Sequence, residues 1–176
     1  RGFLALTSMT SVLGPLRAAG ENYIVYVAST GRNSKGIYAY RFHGSSGRLD
    51  AIGPVGEAPG ASFLALHPNM RFLYAVTGAN GGEVSAFHID PKSGQLTLLN
   101  RVSSKGSGPC YVRLDKTGRN AMIANYNGGS VAVLPIEADG KLREASSFIQ
   151  HSGTVADLKR QGGPHAHSIN PSPDNR

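Results

Sequence analysis

Ser62-Phe63-Leu64-Ala65-Leu66-His67-Pro68-Asn69-Met70-Arg71-Phe72-Leu73-Tyr74 lies over Cys110-Tyr111-Val112-Arg113-Leu114-Asp115-Lys116-Thr117-Gly118-Arg119-Asn120-Ala121-Met122 at an offset of 48. Each stretch reads as an apolar run, a turn rich in Pro, Asn, Asp or Gly, and a second apolar run, which is strand, turn, strand. Other pieces recur in step. Gly82-Glu83-Val84-Ser85-Ala86-Phe87 matches Gly129-Ser130-Val131-Ala132-Val133-Leu134, and Gly36-Ile37-Tyr38-Ala39-Tyr40 matches them one unit earlier. Gly47-Arg48-Leu49, Gly94-Gln95-Leu96 and Gly140-Lys141-Leu142 mark a further recurring turn into a strand. The unit is about 47 residues long and holds four short strands.

Four strands in about 45 residues is the layout of a propeller blade, a small twisted sheet that buries its faces only against neighbouring blades. Composition agrees. The 23 Gly and 10 Pro among 176 residues break nearly every stretch long enough for a helix of several turns. The chain has no Trp, which excludes the WD-repeat form of the blade. From residue 21 onward the chain holds about three to three and a half units, whereas propellers close with four to eight. The expectation is an all-β chain in which residues 21–176 are the N-terminal part of a single β-propeller of four-stranded antiparallel blades. Inner strands are expected near Phe63 to Leu66 and Tyr111 to Leu114. The chain starts at Arg1 rather than Met and reads as a fragment at both ends.

Eighteen Lys and Arg against eleven Asp and Glu give a net charge of +7, which favours anionic small molecules. No basic run exceeds Lys159-Arg160 and no aromatic-interleaved basic stripe occurs, so nucleic acid is not an expected partner. The single cysteine, Cys110, has no intramolecular disulfide partner. The apolar stretch from Gly2 to Leu16 is interrupted by Thr7, Ser8, Thr10 and Ser11 and is too short to span a bilayer. An arginine, a mildly apolar segment and then Ala18-Ala19-Gly20 make the layout of an export signal with its cleavage site. Arg1-Gly2-Phe3-Leu4 is similar to the end of a twin-arginine signal. Residues 1–20 are therefore expected to be an export signal of a periplasmic or secreted protein; the alternative is a disordered tail on a cytoplasmic one.

Tyr26-Val27-Ala28-Ser29-Thr30-Gly31 and Lys35-Gly36-Ile37-Tyr38-Ala39-Tyr40-Arg41-Phe42 resemble the opening blade of the seven-bladed propeller lactonase family, whose bacterial members include 6-phosphogluconolactonases. The likeness continues through Ser62 to Pro68, Gly108-Pro109-Cys110, Ala124-Asn125-Tyr126-Asn127-Gly128-Gly129-Ser130-Val131 and Gly163-Pro164-His165-Ala166-His167-Ser168, and covers nearly everything from Tyr23 onward. The resemblance implies seven blades and about 330 residues. It also implies an active site lined by the first histidine of the last motif and completed by arginine and acidic residues of later blades, which have no counterpart here. The turn often closed by Gly before Arg in this family has Met70 in one unit and Asn175 in another, while Gly118 keeps it in the middle one.

The third inner strand is expected to begin Pro164-His165-Ala166-His167, overlaid on Pro109-Cys110-Tyr111-Val112, so two histidines replace small or apolar residues. Residues two apart in a strand share a face, so His165 and His167 would project together. Three readings stay open for the pair. A neutral histidine can take a proton from water attacking a lactone carbonyl; two histidines can ligate a metal if a third ligand such as Asp157 joins them; or both can be hydrogen-bonded within blade loops. No cofactor is expected. Lys159 and Arg160 fall in an extended loop before the pair and could meet a phosphate or carboxylate, and Asn125, at a strand end, is a further substrate-binding candidate. His67 and Asp115 occupy equivalent turn positions and read as structural, whereas His43, His88 and His151 read as solvated. No G-x-S-x-G elbow, phosphate-binding glycine loop or dinucleotide fingerprint occurs.

The leading expectation is a lactonase that hydrolyses a sugar lactone such as 6-phosphogluconolactone, by histidine-assisted attack of water at the propeller channel. The rival is a noncatalytic propeller serving as a binding or interaction scaffold.

Overall fold

The computed structural model describes residues 22–31, 33–153 and 162–175. The N-terminal segment 1–20, Lys159, Arg160 and Asp157 lie outside the described residues. Three antiparallel sheets follow one another along the chain. The first contains β1 (Asn22–Ala28), β2 (Gly36–His43) and β3 (Leu49–Glu57). The second contains β4 (Ala61–Leu66), β5 (Phe72–Thr77), β6 (Glu83–Ile89) and β7 (Leu96–Ser103), and the third β8 (Pro109–Leu114), β9 (Asn120–Asn125), β10 (Ser130–Pro135) and β11 (Ser147–Gln150). Within each sheet the spatial order is the chain order, as in a propeller blade. The one helical piece among the described residues is a 3-10 turn at Ala79–Gly81.

The repeat assigns each strand its place. β2, β6 and β10 are equivalent, so β1 matches β5 and β9, and the first sheet begins at the second strand of its blade. β4 and β8 lie side by side where neighbouring blades converge, which makes them inner strands. β11 is exposed along its length, as an outermost strand should be.

The middle blade is sandwiched, and β5 shows why its sequence is apolar without a break. All six residues of Phe72-Leu73-Tyr74-Ala75-Val76-Thr77 are buried. Phe72, Tyr74 and Val76 pack toward the third sheet with Val112, Leu114, Ile123 and Leu134. Leu73 and Ala75 face the first sheet with Ile37, Ala39, Val55 and Phe87. The strand period of two thus feeds two separate cores.

Repeated polar ties join the blades. Tyr26 Oη donates to the Gly94 carbonyl at 3.0 Å, and one unit later Tyr74 Oη donates to the Gly140 carbonyl at 3.0 Å. Ser62 Oγ donates to the Pro109 carbonyl at 3.1 Å, and the Cys110 thiol points at the Ala166 carbonyl at 3.5 Å. His67, read as structural, accepts from the Asn69 N–H through Nδ1 and therefore donates from Nε2 to the Gly118 carbonyl at 3.0 Å. Gly36, Gly82 and Gly129 hold one repeat position at positive φ; a Cβ there would lie 2.4, 2.1 and 2.2 Å from backbone of Ala58, Gly106 and Pro164, so the chain can approach the next connection only through glycine.

Two expectations change. Residues 164–170 form no strand, because nothing among the described residues offers them a ladder; they run beside β8 instead, with Arg113 Nη1 and Tyr111 Oη both donating to Asn170 Oδ1, at 2.6 and 3.0 Å. Their register also differs from the overlay of His165 on Cys110. Met70, Gly118 and Asn175 share a left-handed φ of 61, 72 and 66°, each with its N–H bonded to the carbonyl three residues back. Counting back from these turns places His167 at the Ser62 and Cys110 position and His165 two residues earlier, in the connection occupied by Gly60 and Gly108.

Candidate functional site

The β9–β10 turn, the connection into β8 and the segment 162–167 meet at one end of the third blade. Residue 126 is fixed there by its backbone. Its N–H donates to the Gly108 carbonyl at 2.9 Å, and its carbonyl accepts from Gly129 N–H at 3.3 Å. The same carbonyl lies 2.9 Å from His165 Nδ1. A carbonyl can only accept, so Nδ1 carries the proton and the neutral ring presents its lone pair at Nε2. The imidazole of His165 stacks on the Tyr126 ring, centroids 4.4 Å apart and planes 12° from parallel. His167 meets the same ring edge-on at 4.7 Å and 72°.

The two histidines therefore do converge, on Tyr126 rather than through strand alternation. His165 is half-buried and His167 exposed. Tyr126 is the residue that sequence reasoning missed. Its signal was present, since the equivalent position one unit earlier is Gly78, the same replacement of a small residue that singled out the histidines.

Asn125 is placed differently from its neighbour. It is fully buried, and its Nδ2 donates to the Ser104 carbonyl and to Ser130 Oγ, both at 3.1 Å, while Oδ1 has no partner among the described residues. That geometry locks the connection preceding β8 onto the start of β10. Burial pushes the Cys110 thiol up from its ordinary value, which keeps it protonated at neutral pH and leaves it the weak donor seen toward Ala166. Among the described residues no group of three or more His, Cys, Asp or Glu gathers as a metal site would require. His43, read as solvated, instead lies 2.8 Å from Asp50, whose carboxylate also meets Arg48 at 2.9 Å. His88 packs edge-on against Phe72, and His151 is exposed.

Chemically, the site offers a half-buried imidazole of defined tautomer held over an aromatic face. The family described as Lactonase, 7-bladed beta-propeller matches residues 24–176. The chain belongs to the seven-bladed β-propeller lactonase family. Among curated relatives of this propeller, the 6-phosphogluconolactonase of Bacillus subtilis is 33% identical over 154 residues, covering 86% of this chain and 44% of that protein. The 6-phosphogluconolactonase of Formosa agariphila is 30% identical over 143 residues, covering 80% of this chain and 40% of its own length. Solved structures agree. A putative 6-phosphogluconolactonase from Bacteroides fragilis superposes with a TM-score of 0.79 at 35% identity, over 89% of this chain and 44% of that one. The periplasmic gluconolactonase of Pseudomonas aeruginosa gives 0.78 at 32%, over 88% and 45%. The lactonase-family chain thus spans less than half the length of these relatives. Among its described residues no helix is long and apolar enough to cross a membrane.

Proposed function

We propose that the complete propeller carrying this sequence is a lactonase that opens a sugar lactone, 6-phosphogluconolactone or gluconolactone being the substrates suggested by the names of its relatives. The carrying observation is the bond from His165 Nδ1–H to the Tyr126 carbonyl, which leaves Nε2 as the base. In the reaction, water gives a proton to Nε2 as its oxygen bonds to the lactone carbonyl carbon. The tetrahedral oxyanion then collapses, the ring C–O bond breaks, and the imidazolium returns its proton to the departing alkoxide. The product is the hydroxy acid. Donors for the oxyanion belong, in this reading, to the later blades. His167 lines the same site through its contact with Tyr126, Lys159 and Arg160 supply positive charge for an anionic substituent, and Asn125 acts by holding the connection rather than by touching substrate.

The layout around Ala18-Ala19-Gly20 and the likeness to a periplasmic gluconolactonase favour export of the mature domain from about residue 21 onward. Mass spectrometry of the periplasmic fraction checks this, and an intact Arg1 to Gly20 segment on cytoplasmic protein contradicts it. The function is tested on the complete protein with a panel of aldonolactones. His165→Ala lowers turnover by about 10²- to 10⁴-fold while the fold is retained. Hydrolysis that survives the substitution ends the catalytic assignment, and no hydrolysis of any lactone by the wild type favours the scaffold reading.

A further inference from the structure

We propose that Tyr126 is the positioning residue of this site: its carbonyl selects the tautomer of His165 and its ring sets the plane in which Nε2 is presented. The inference rests on the reading of His165 as the base, and adds what makes that histidine competent.

An isolated neutral imidazole exchanges between two tautomers and rotates about two side-chain bonds. Both freedoms are removed here by one residue. The Tyr126 carbonyl is immobilised by the Tyr126 N–H bond to Gly108 and by the N–H of Gly129, so the acceptor facing His165 Nδ1 is part of a turn rather than a free chain. The near-parallel ring at 4.4 Å then fixes the imidazole plane about the Nδ1–H···O axis. His167 packs on the edge of the same ring, which limits the tilt of Tyr126 itself. The contact joins residues 39 apart in the chain and links the third blade to the segment that opens the next. At the equivalent place one blade earlier the chain has Gly78, with no ring to offer. Among the described residues the aromatic side chain thus appears at this repeat position where a histidine arrives beside it.

Tyr126 touches no reacting atom in this account, so its loss should act on turnover rather than on substrate binding. In the complete protein Tyr126→Phe keeps the ring and the carbonyl and retains activity within about threefold, whereas Tyr126→Leu removes the stack and lowers kcat by about 10- to 100-fold with KM little changed, the scale of a misplaced catalytic group. A second readout does not need activity. Nitrogen-15 and carbon-13 NMR of the His165 ring should show the Nδ1-protonated neutral form in the wild type and in both variants, because the selecting carbonyl is backbone, with the ring held in one orientation in the wild type and in Tyr126→Phe and reorienting in Tyr126→Leu. A wild-type ring protonated at Nε2 overturns the inference without any variant, as does Tyr126→Leu with a wild-type ring orientation and kcat, or Tyr126→Phe as impaired as Tyr126→Leu. If His165→Ala retains hydrolysis, the catalytic reading falls by itself, while the NMR comparison still decides whether Tyr126 holds the ring.

Discussion

Replacing Tyr74 by Phe deletes one oxygen from the interface between the second and third blades, and the consequence follows from what that oxygen holds. Tyr74 is fully buried, and its hydroxyl donates to the Gly140 carbonyl at 3.0 Å. Phe keeps the packing with Val112 and Ile123 but leaves that carbonyl without this donor, in a place water reaches poorly. A buried acceptor left unpaired costs about 1–3 kcal/mol. The repeat supplies its own control. Tyr26 makes the same bond to Gly94 between the first and second blades, at the same 3.0 Å, but is only half-buried. Water can replace its hydroxyl, so Tyr26→Phe should cost about 0.5–1.5 kcal/mol. Urea denaturation of the complete protein reads both as a lower midpoint with an unchanged slope. Alkaline pH gives a second check. Burial, with a smaller contribution from the Asp139 carboxylate, pushes the Tyr74 phenol well above its ordinary value. The unfolded phenol ionises from about pH 10 while the folded one does not. The stabilisation is therefore whole below about pH 10 and is lost as pH rises from there toward the folded value. Wild-type stability should fall more steeply than that of Tyr74→Phe in that range. Equal losses for the two Tyr→Phe variants, or a loss below about 0.5 kcal/mol for Tyr74→Phe, would refute the reasoning.

Two other substitutions test one contact between blades and one turn within a blade. Gly82→Ala places a Cβ 2.1 Å from the Gly106 carbonyl oxygen at a φ of 124°, and because the obstacle is backbone it should lower stability by at least about 1–3 kcal/mol, measured by the same denaturation. Asp115 is pushed up by partial burial, but donors from Asn120, Thr117 and the backbone N–H groups outweigh this and hold its carboxyl below the usual range. Its stabilisation is present above the unfolded carboxylate value of about 4 and is lost as pH falls through the lower folded value. Asp115→Asn should thus be less stable at neutral pH, and the gap should close in acid; a gap constant from pH 7 to pH 2 contradicts the assignment.

The blades were legible because their signals are local. Strand–turn–strand runs recur about every 47 residues, and a strand needs only alternating apolar residues and a turn on either side to declare itself. β4 and β8 fall where Phe63 to Leu66 and Tyr111 to Leu114 placed them. His67 and Asp115 were readable as turn residues from their shared position. The histidine pair was visible too, as a departure from the repeat.

Its surroundings were not. The overlay of His165 on Cys110 absorbed the extra residues of the preceding connection in the wrong place, although the shared turn at Met70, Gly118 and Asn175 was already visible in the sequence. The common left-handed backbone of those three residues settles the register. Asn125 and Tyr126 are neighbours in sequence, yet one is turned into the blade against Ser104 and Ser130 while the other faces His165 and His167. Successive side chains point to opposite sides, but which side is core depends on the blade that arrives there. By itself, then, the sequence determined the blade, its period and its family likeness, because hydrophobic alternation and turn chemistry act within a few residues. Only the tertiary structure decided which carbonyl meets His165 and thereby which of its nitrogens is free, because that bond joins segments 39 residues apart and exists only when the segment carrying His165 packs on the third blade.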